Sequence, residues 1–314
     1  MLSENEIKPE KVLFCKKRKV EMKTDVATVE IEAINIQQRG AEDRHLILRN
    51  FQSKYSLFFV LDGHGNCQVV KKDKHVVNLV LQLLVKQVGI LMSKENPDIE
   101  QGLIDIFIDI DKFLYEKKDE YSGGSTCNLI LFDKQTRVLY NANLGDSKCI
   151  IFDDNSNVLF ESADHDYLTD NKRVDSNLYE LVYNGLYVRI KDTGNSLCVA
   201  RSFGDFPFKQ TSYNDYDPEH GCVSVIPTIT RIPLNKLDCY HFCLSTDAPF
   251  DRLCKMNVIK FLEQKSVFAD EPLHVQCQKM AAIVQKKTND DITILFGRIE
   301  TNIKPTEQMT LFSD

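Results

Sequence analysis

Residues 46–66 read LILRNFQSKYSLFFVLDGHGN, and this stretch decides the class of fold. Residues 50–53 are turn formers that separate two apolar runs. The second run, residues 56–61, is too short for a helix and is followed directly by Asp62 and by two glycines that flank His64. This pattern predicts a buried strand that ends at Asp62.

The stretches on either side of it alternate between strand and helix signals. Residues 11–36 alternate charged and apolar positions, as half-buried strands do. Apolar residues then recur at helical spacing in two segments, and strand patterns with hairpin-like spacing favour antiparallel pairing. Helices are predicted over residues 67–92, 99–115, 257–264 and 272–287, and strands over 126–132, 137–145, 148–153, 186–190, 197–201, 222–232, 240–245 and 292–299.

These elements predict one α+β domain, with two antiparallel sheets covered by helices. No repeat or interdomain linker interrupts the chain. We therefore place the domain at residues 25–299, between an N-terminal segment, residues 1–24, and a peripheral C-terminal tail, residues 300–314.

The charge balance argues against two classes of partner. The 314 residues include 46 Asp and Glu against 39 Lys and Arg, which gives a formal net charge of −7. An acidic chain has no general attraction for nucleic acid or anionic membranes. The most apolar long stretch, residues 76–92, is interrupted by polar side chains. We expect neither a nucleic-acid partner nor a membrane-spanning segment.

The ten cysteines form no C-x-x-C pair, which is typical of reduced core thiols in an intracellular protein. Cys239 and Cys243 are near enough for a zinc half-site, but they lie in an alternating strand pattern without a second pair, so we predict structural thiols. Residues 16–20, KKRKV, resemble a nuclear-import signal, although such runs are commonly a solvated strand edge. We expect a cytoplasmic rather than a nuclear protein.

Three aspartates stand where apolar strands stop or start. Asp62 follows FFVL, Asp247 follows HFCLST, and Asp290 precedes ITILF with one residue between. Carboxylates gathered at strand ends form an oxygen-ligand site suited to Mg²⁺ or Mn²⁺. The alternative is that these residues are turn formers and caps, as most acidic residues at strand ends are. Their spacing alone leaves both interpretations open.

The order of the motifs along the chain points to a known family. The segments are DGHG, SGGSTCNLILF, YNANLGDSKCIIF, ADHDYL, LCVARSFGD, CLSTDAPFD and NDDITIL, with a Glu-Asp pair upstream at residues 42 and 43. Together they resemble the metal-dependent protein serine/threonine phosphatases, the type 2C or PPM family, from about residue 30 to residue 298. The resemblance implies a central β-sandwich flanked by helices, with a two-metal centre at one end.

The resemblance also implies the ligands of that centre. Asp62 would bridge two Mg²⁺ or Mn²⁺ ions, and the backbone carbonyl of Gly63 would bind one of them. Asp247 and Asp290 would complete the shell of the other ion.

Further residues match the family's pattern beside the two ions. Glu42 and Asp43 would hold the partner ion or its waters, and Asp146 would bind a third, weaker metal. His64 matches the proposed general acid. The implied reaction is hydrolysis of phosphoserine or phosphothreonine in a phosphoprotein by a metal-activated water, with no cysteine nucleophile.

Three positions depart from the family's pattern. The substrate-phosphate arginine is expected five residues before Asp43, where Gln38 stands with Arg39 one place later; either the loop is one residue shorter or the arginine is lost. Residues 248–249 are Ala-Pro instead of Gly and an apolar residue, and Asn66 replaces a glycine. The alternative function is therefore a pseudophosphatase that binds partners without turnover.

A last matching segment is VARSFGD, which in the family lies near the flap beside the active site. Its charged residues, Arg201 and Asp205, could instead pair only with each other or with the sheet. Both interpretations of these two residues stay open at this point.

Overall fold

The described strands lie in four sheets, and the two larger sheets form a sandwich. The computed structural model describes residues 27–38, 41–65, 74–170, 174–211, 216–253, 255–260 and 272–301. The strands within these ranges are β1 (Thr28–Ile36), β2 (Arg44–Phe51), β3 (Tyr55–Leu61), β4 (Gly63–His64), β5 (Gly124–Ser125), β6 (Cys127–Asp133), β7 (Val138–Leu144), β8 (Lys148–Phe152), β9 (Val158–Glu161), β10 (Tyr179–Val182), β11 (Tyr187–Ile190), β12 (Ser196–Leu197), β13 (Phe203–Gly204), β14 (Thr228–Pro233), β15 (Cys239–Ser245) and β16 (Ile292–Glu300).

Helices cover the outer faces of the sheets. In chain order they are α1 (Val76–Met92), α2 (Ile99–Glu116), α3 (Tyr167–Asp170), α4 (Ala248–Arg252), α5 (Lys255–Lys260) and α6 (Leu273–Gln285). The two long N-terminal helices begin at side-chain caps: His75 accepts from Val77 N, and Asp98 accepts from Gln101 N.

Two five-stranded sheets pack face to face. One has the order β1-β16-β15-β8-β9 and the other the order β14-β7-β6-β3-β2. The pairings within both are antiparallel. A separate three-stranded sheet, β10-β11-β12, forms the flap, which we define as residues 174–200. The fold is thus the predicted α+β sandwich of two antiparallel sheets flanked by helices.

The alternation of side chains in β3 explains the layers. Phe58 and Val60 point into the core between the sheets, where the Phe58 ring stacks on Phe242 at 5.8 Å. Leu57, Phe59 and Leu61 point the other way, into the core shared with α1 and α2. All five side chains are fully buried, so a one-residue shift of register would exchange two cores.

The second sheet repeats this arrangement on its outer side. Cys243, Ile294 and Phe296 pack against Met280 and Val284 of α6. The molecule therefore has four layers, helix, sheet, sheet and helix, and the strand ends that carry the candidate site residues emerge from the two middle layers.

Most predicted elements are present with small differences in their ends. The helix predicted over 99–115 is α2, and the helix predicted from residue 67 begins at Val76 where the structure describes it, since residues 66–73 lie outside the described ranges. The predicted domain limits stay predictions, and residues 1–26 and 302–314, with the basic run at 16–20, lie outside the described part.

Two predicted strands are wrong over half of their length or more. Of residues 197–201, only Leu197 lies in a strand, β12. Residues 222–227 do not join β14; their backbone bonds instead go to several separate partners, with Val223 N donating to Phe208 O and Ser224 N to Ala200 O. Cys222 and Val223 pack in the small core of the flap, whereas Val225 packs in the core shared with α1 and α2, so these residues do not form one face of a sheet. No described helix is long and apolar enough to cross a membrane.

Candidate active site

The site lies at the end of the sandwich where β3 stops. The backbone of Asp62 is held by Thr126, whose N donates to Asp62 O at 2.9 Å and whose hydroxyl accepts from Asp62 N at 3.3 Å. This exchange fixes Asp62 between the end of β3 and the start of β6. The next two residues form β4, so the chain turns sharply after the carboxylate.

Carboxylates from several elements meet around Asp62. The negative charges that act on it belong to Asp43, Asp146, Asp247 and Asp290. They come from the loop before β2, the turn after β7, the end of β15 and the loop before β16. The structure therefore brings together five of the aspartates that were expected at the site.

These five aspartates, residues 43, 62, 146, 247 and 290, form the acidic cluster, and the ionisation of four of them, Asp43, Asp62, Asp146 and Asp247, is strongly perturbed. Burial raises the pKa of Asp43 and of Asp62 well above the usual range, and neighbouring carboxylates raise it further. Burial and the charge of Asp247 raise the pKa of Asp146 to about 7, and burial together with Asp251 and Asp290 raises that of Asp247 to about 6.

The acidic cluster fits hard divalent cations. Within the described residues, no Lys, Arg or His forms an ion pair with any member of the cluster. Gathering ionised carboxylates without a counter-charge is unfavourable, and oxygen donors of this kind are the ligands that Mg²⁺ and Mn²⁺ prefer. Turn-forming aspartates would not need to converge in this way.

Asp43 is the most deeply placed member. It is 1% exposed, and one of its oxygens accepts from the hydroxyls of Thr293 at 2.8 Å and Thr246 at 3.1 Å. These two threonines lie on neighbouring strand ends and bond to each other through Thr293 N and Thr246 Oγ1. They hold the Asp43 carboxylate in place near Asp62. The other three aspartates around Asp62 are more exposed to solvent than Asp43.

The pair Asp290-Asp291 divides two tasks. Asp290 is exposed and faces the cluster, whereas Asp291 is 6% exposed and points into the loop before β2. The two oxygens of Asp291 accept from Gln38 N at 2.6 Å and from Glu42 N at 2.8 Å. Sequence reasoning missed this second aspartate, although its place beside Asp290 was visible in NDDITIL.

Glu42 and Gly63 are packed against each other. A Cβ added to Gly63 would lie 2.8 Å from the carbonyl oxygen and 2.9 Å from the Cβ of Glu42. Only glycine therefore lets the chain after Asp62 approach the Glu-Asp pair so closely. The charge of Glu42 also acts on His64, which puts that side chain on the same side of the site.

The departure at Ala248-Pro249 forms the first turn of α4, directly after Asp247. Asp247 precedes α4 with helical dihedrals, and proline is well suited to the first turn of a helix. Ala248 is 2% exposed and packs into the core under α6. One helical turn later, Asp251 faces Asp247 and raises its pKa, a neighbour that the four-residue spacing of DAPFD indicates but that we did not predict.

Asp146 is held by a histidine that sequence reasoning treated as ordinary. The His165 Nδ1 accepts from Gly145 N at 3.1 Å, and its Nε2 lies 2.9 Å from the hydroxyl of Thr228. Gly145 has a φ of 99°, so the turn before Asp146 has a conformation that favours glycine. His165 thus fixes this turn and is not a ligand.

His64 has a partner that was not predicted. Its Nε2 lies 2.6 Å from Oδ2 of Asp205, which is 141 residues away in the chain. Burial alone would lower the pKa of His64, but the Asp205 carboxylate outweighs burial, and Asp146 and Glu42 add to it, so the pKa is raised. Arg201 does not pair with Asp205; it donates to Ile226 O at 3.0 Å.

The last role to consider is that of the cation that would bind a substrate phosphate. Arg39 lies outside the described residues. Arg44 donates to Asn78 Oδ1 and to the carbonyls of Ala41 and Asp43, so its guanidinium supports the loop and α1.

The cysteines that resembled a zinc half-site separate. Cys243 is buried in the apolar core, while Cys239 accepts from Arg298 Nε at 3.0 Å. His241 lies beside Cys239, with its Nε2 2.7 Å from Asp154. These groups lie at the start of β15, at the opposite end of the strand from Asp247.

Comparison with known proteins bears on the family and on the fold. The family described as Protein phosphatase 2C matches residues 27–292. The chain belongs to that family. The relative named Probable protein phosphatase 2C 4, from Paramecium tetraurelia, is 27% identical over 237 residues, 71% of this chain and 73% of that protein.

Solved structures of the protein phosphatase 2C fold superpose on most of the chain. A serine-threonine phosphatase 2C from Toxoplasma gondii gives a TM-score of 0.63 at 17% identity and covers 92% of this chain and 99% of its own. The catalytic domain of the serine threonine protein phosphatase PstP, described in complex with two manganese ions, gives 0.55 at 14% identity and covers 87% and 99%. At these identities the likeness shows the fold.

Proposed function

We propose that this protein is an active Mg²⁺- or Mn²⁺-dependent phosphatase that hydrolyses phosphoserine and phosphothreonine in proteins. The observation that carries the proposal is the acidic cluster, in which five aspartates converge at the end of the sandwich and, among the described residues, none forms an ion pair with Lys, Arg or His. In a binding domain without metal ions, this arrangement would stay unfavourable because nothing would offset the repulsion between the carboxylates.

The roles that follow from the family are assigned to individual residues. Asp62, the carbonyl of Gly63, Asp247 and Asp290 would hold two ions, with Glu42 and Asp43 beside them and Asp146 at a third position. The structurally similar PstP domain is described with two manganese ions, which supports this number. The bound ions would supply a water of lowered pKa and would stabilise charge on the phosphoryl oxygens.

The protein side chains supply the remaining functions. His64, which is partly exposed beside the cluster, would give a proton to the serine or threonine oxygen as it leaves phosphorus. Arg39 would bind the phosphate through its guanidinium. The ester oxygen leaves as an alcohol, and the water oxygen becomes part of inorganic phosphate.

The test is phosphate release from a phosphoserine peptide with Mn²⁺, with Mg²⁺ and with EDTA. We expect turnover that depends on the added ion and is abolished by the chelator, because oxygen-donor sites bind these ions with modest affinity. Undiminished turnover in EDTA would contradict the metal mechanism.

A second measurement separates the phosphatase from the pseudophosphatase. Mn²⁺ should raise the thermal midpoint of the protein, since a ligand that binds only the folded state stabilises it. A midpoint raised by Mn²⁺ together with no turnover of phosphoserine or phosphothreonine peptides would identify a metal-binding pseudophosphatase instead.

A further inference from the structure

We propose that Asp205 is a positioning residue that orients the imidazole of His64, so that the proton carried on Nδ1 faces the leaving oxygen of the substrate. This inference rests on the proposed phosphatase function. It adds a residue from the segment after the flap to the reaction.

Three short strands bring the two side chains together. His64 of β4 pairs with Gly124 of β5, and Gly124 pairs on its other side with Gly204 of β13. His64 and Asp205 therefore approach each other across a strand that has no side chain at this position. The Nε2 to Oδ2 distance is 2.6 Å, and the side chains are 25% and 10% exposed.

Gly124 leaves the room that the pair needs. A Cβ at this position would lie 2.0 Å from Asp205 Oδ2 and 2.3 Å from His64 Nε2, which neither atom could tolerate. The second glycine of the motif SGGST, Gly124, thus has a local structural reason. Any larger residue at position 124 would have to push the carboxylate and the ring apart.

The Asp205 carboxylate is fixed from its own side as well. Asp205 has a left-handed backbone with a φ of 50°, and its N donates to Gly123 O at 3.2 Å. The hydroxyl of Ser202 donates to the same Oδ2 that faces His64, at 2.5 Å. A non-glycine residue in this conformation stores strain that the surrounding contacts must hold.

A buried ion pair anchors this turn to α2. Asp111 of α2 accepts from Gly204 N at 2.7 Å and from Lys209 Nζ at 2.7 Å, and Lys209 also donates to Ser202 O at 2.8 Å. Asp111 and Lys209 are both completely buried. Gly204, directly before Asp205, and Lys209, four residues after it, are thereby tied to one helix.

The pairing assigns different work to the two ring nitrogens. With the Nε2 proton donated to Asp205, Nδ1 is the nitrogen left to hold a transferable proton, and no described residue forms a hydrogen bond with it. As the ester bond breaks, its electron pair goes to the serine oxygen, which takes the Nδ1 proton. A water oxygen forms the new bond to phosphorus and releases one proton to solvent. A proton from solvent later reprotonates Nδ1 of His64, so the number of protons balances.

The experiment compares two substrates that differ in their need for an acid. A phosphoserine peptide expels an alkoxide and needs a proton at the leaving oxygen, whereas p-nitrophenyl phosphate expels a stable phenolate. We expect Asp205→Asn to lower kcat for the peptide by about two orders of magnitude, within the range of acid–base catalysis, with little change in KM. For p-nitrophenyl phosphate the loss should stay within about threefold, because no acid is required there.

A double-mutant cycle gives a second readout. His64→Ala should show the same selective loss, and adding Asp205→Asn to it should cost nothing more, because the two residues act as a unit. Asp217→Asn is the matched control. It removes the carboxylate of a second aspartate–histidine pair, Asp217 and His220, whose side chains are 3.3 Å apart, and it should leave kcat and KM unchanged for both substrates. Gly124→Ala tests the same geometry without removing either partner and should reproduce the selective loss.

The outcomes separate this inference from the proposed function. Equal losses on both substrates, or additive losses in the double variant, would assign Asp205 a merely structural role and overturn the inference while the phosphatase stands. A wild-type protein that hydrolyses neither substrate with Mn²⁺ would refute both. If Asp205→Asn does not fold, the Gly124→Ala variant decides by the same substrate comparison.

Discussion

Two groups of buried carboxylates in this molecule differ in how their charge is balanced. Asp111, on the buried face of α2, accepts hydrogen bonds from Lys209, Tyr216 and Gly204 N, so the chain itself supplies all of these partners. The acidic cluster around Asp62 has several negative charges and no ion-pair partner among the described residues. The difference separates carboxylates whose charge the fold itself balances from carboxylates whose charge it leaves unpaired, and the second kind is what a divalent cation would need.

Removing the centre of the acidic cluster should give the largest effect. Asp62→Ala should lower turnover by at least about two to three orders of magnitude, as loss of a directly stabilising group does. The fold should remain, because one of several repelling charges disappears and the metal-free thermal midpoint should not fall. The measurements are initial rates with Mn²⁺ and thermal midpoints in EDTA.

A strand-end aspartate with a turn role provides the control. Asp133 ends β6 and accepts from Gln135 N and Thr136 N. Asp133→Ala should cost about 1 kcal/mol of stability and leave the rate per folded molecule unchanged. If Asp62→Ala behaved in the same way, the acidic cluster would be no more than a set of turn formers.

Removing Asp111, whose charge the chain itself balances, should lower the stability of the folded protein. Asp111→Ala leaves the Lys209 ammonium completely buried without a carboxylate, which should destabilise the folded protein by about 3–5 kcal/mol. Denaturant unfolding in EDTA measures this directly. Asp109→Ala, an exposed aspartate of the same helix, should stay within about 0.5 kcal/mol of the unaltered protein. A neutral Asp111→Ala would remove the contrast between the two groups.

The thermal effect of Mn²⁺ should depend on pH because protons and metal compete for the cluster. The pKa of Asp146 is raised to about 7 and that of Asp247 to about 6, so both hold protons in the folded metal-free protein well above the range in which the unfolded chain releases them. The native state therefore binds more protons between about pH 4 and pH 7, and its metal-free stability falls as the pH rises through this window.

The stabilisation by Mn²⁺ should consequently be larger at about pH 7.5 than at about pH 5.5, where the ion must displace these protons. The shift of the thermal midpoint on adding Mn²⁺ at each pH measures it, and other titrating groups cancel in this difference. The Asp62→Ala variant should show a smaller shift at both values. A shift independent of pH would mean that these carboxylates do not bind the ion.

The smallest effect concerns the phosphate itself. If Arg39 binds the substrate phosphate, Arg39→Ala should raise KM for a phosphopeptide by about tenfold, as loss of a charge-assisted pair of hydrogen bonds does, with a smaller fall in kcat. Steady-state kinetics on the phosphopeptide give both constants. Unchanged constants in an active enzyme would assign the phosphate to another cation and would make Arg39 an ordinary loop residue.

The sequence allowed the sandwich to be predicted wherever a local period exists. The alternation from residue 57 to residue 61 reports two buried faces, and the structure places these side chains in two different cores. The aspartates at strand ends could be found in the same way, because a change from apolar to acidic residues marks the point where a strand leaves the core. Asp62 and Asp247 are the clearest examples.

What could not be predicted depends on contacts between distant segments. The strands β4, β5 and β13 have two residues each, too few for any period, and exist because Gly124 lets the other two approach. The pairing of His64 with Asp205 follows from that approach and has no local signal. Residues 222–227 show the reverse error: their apolar side chains divide between two cores, with Cys222 and Val223 in the core of the flap and Val225 in the core shared with α1 and α2.

That small core has a consequence for the timing of events at the site. Tyr179, Val188 and Phe208 pack in a cluster separate from the sandwich, and such a unit can exchange its amide hydrogens by opening locally, without global unfolding. Phe208 precedes Lys209, whose ion pair holds the turn that carries Asp205. Opening of this cluster is therefore expected to loosen the turn that carries Asp205, the partner of His64, and hydrogen exchange at residues 179–190 measures how readily the cluster opens.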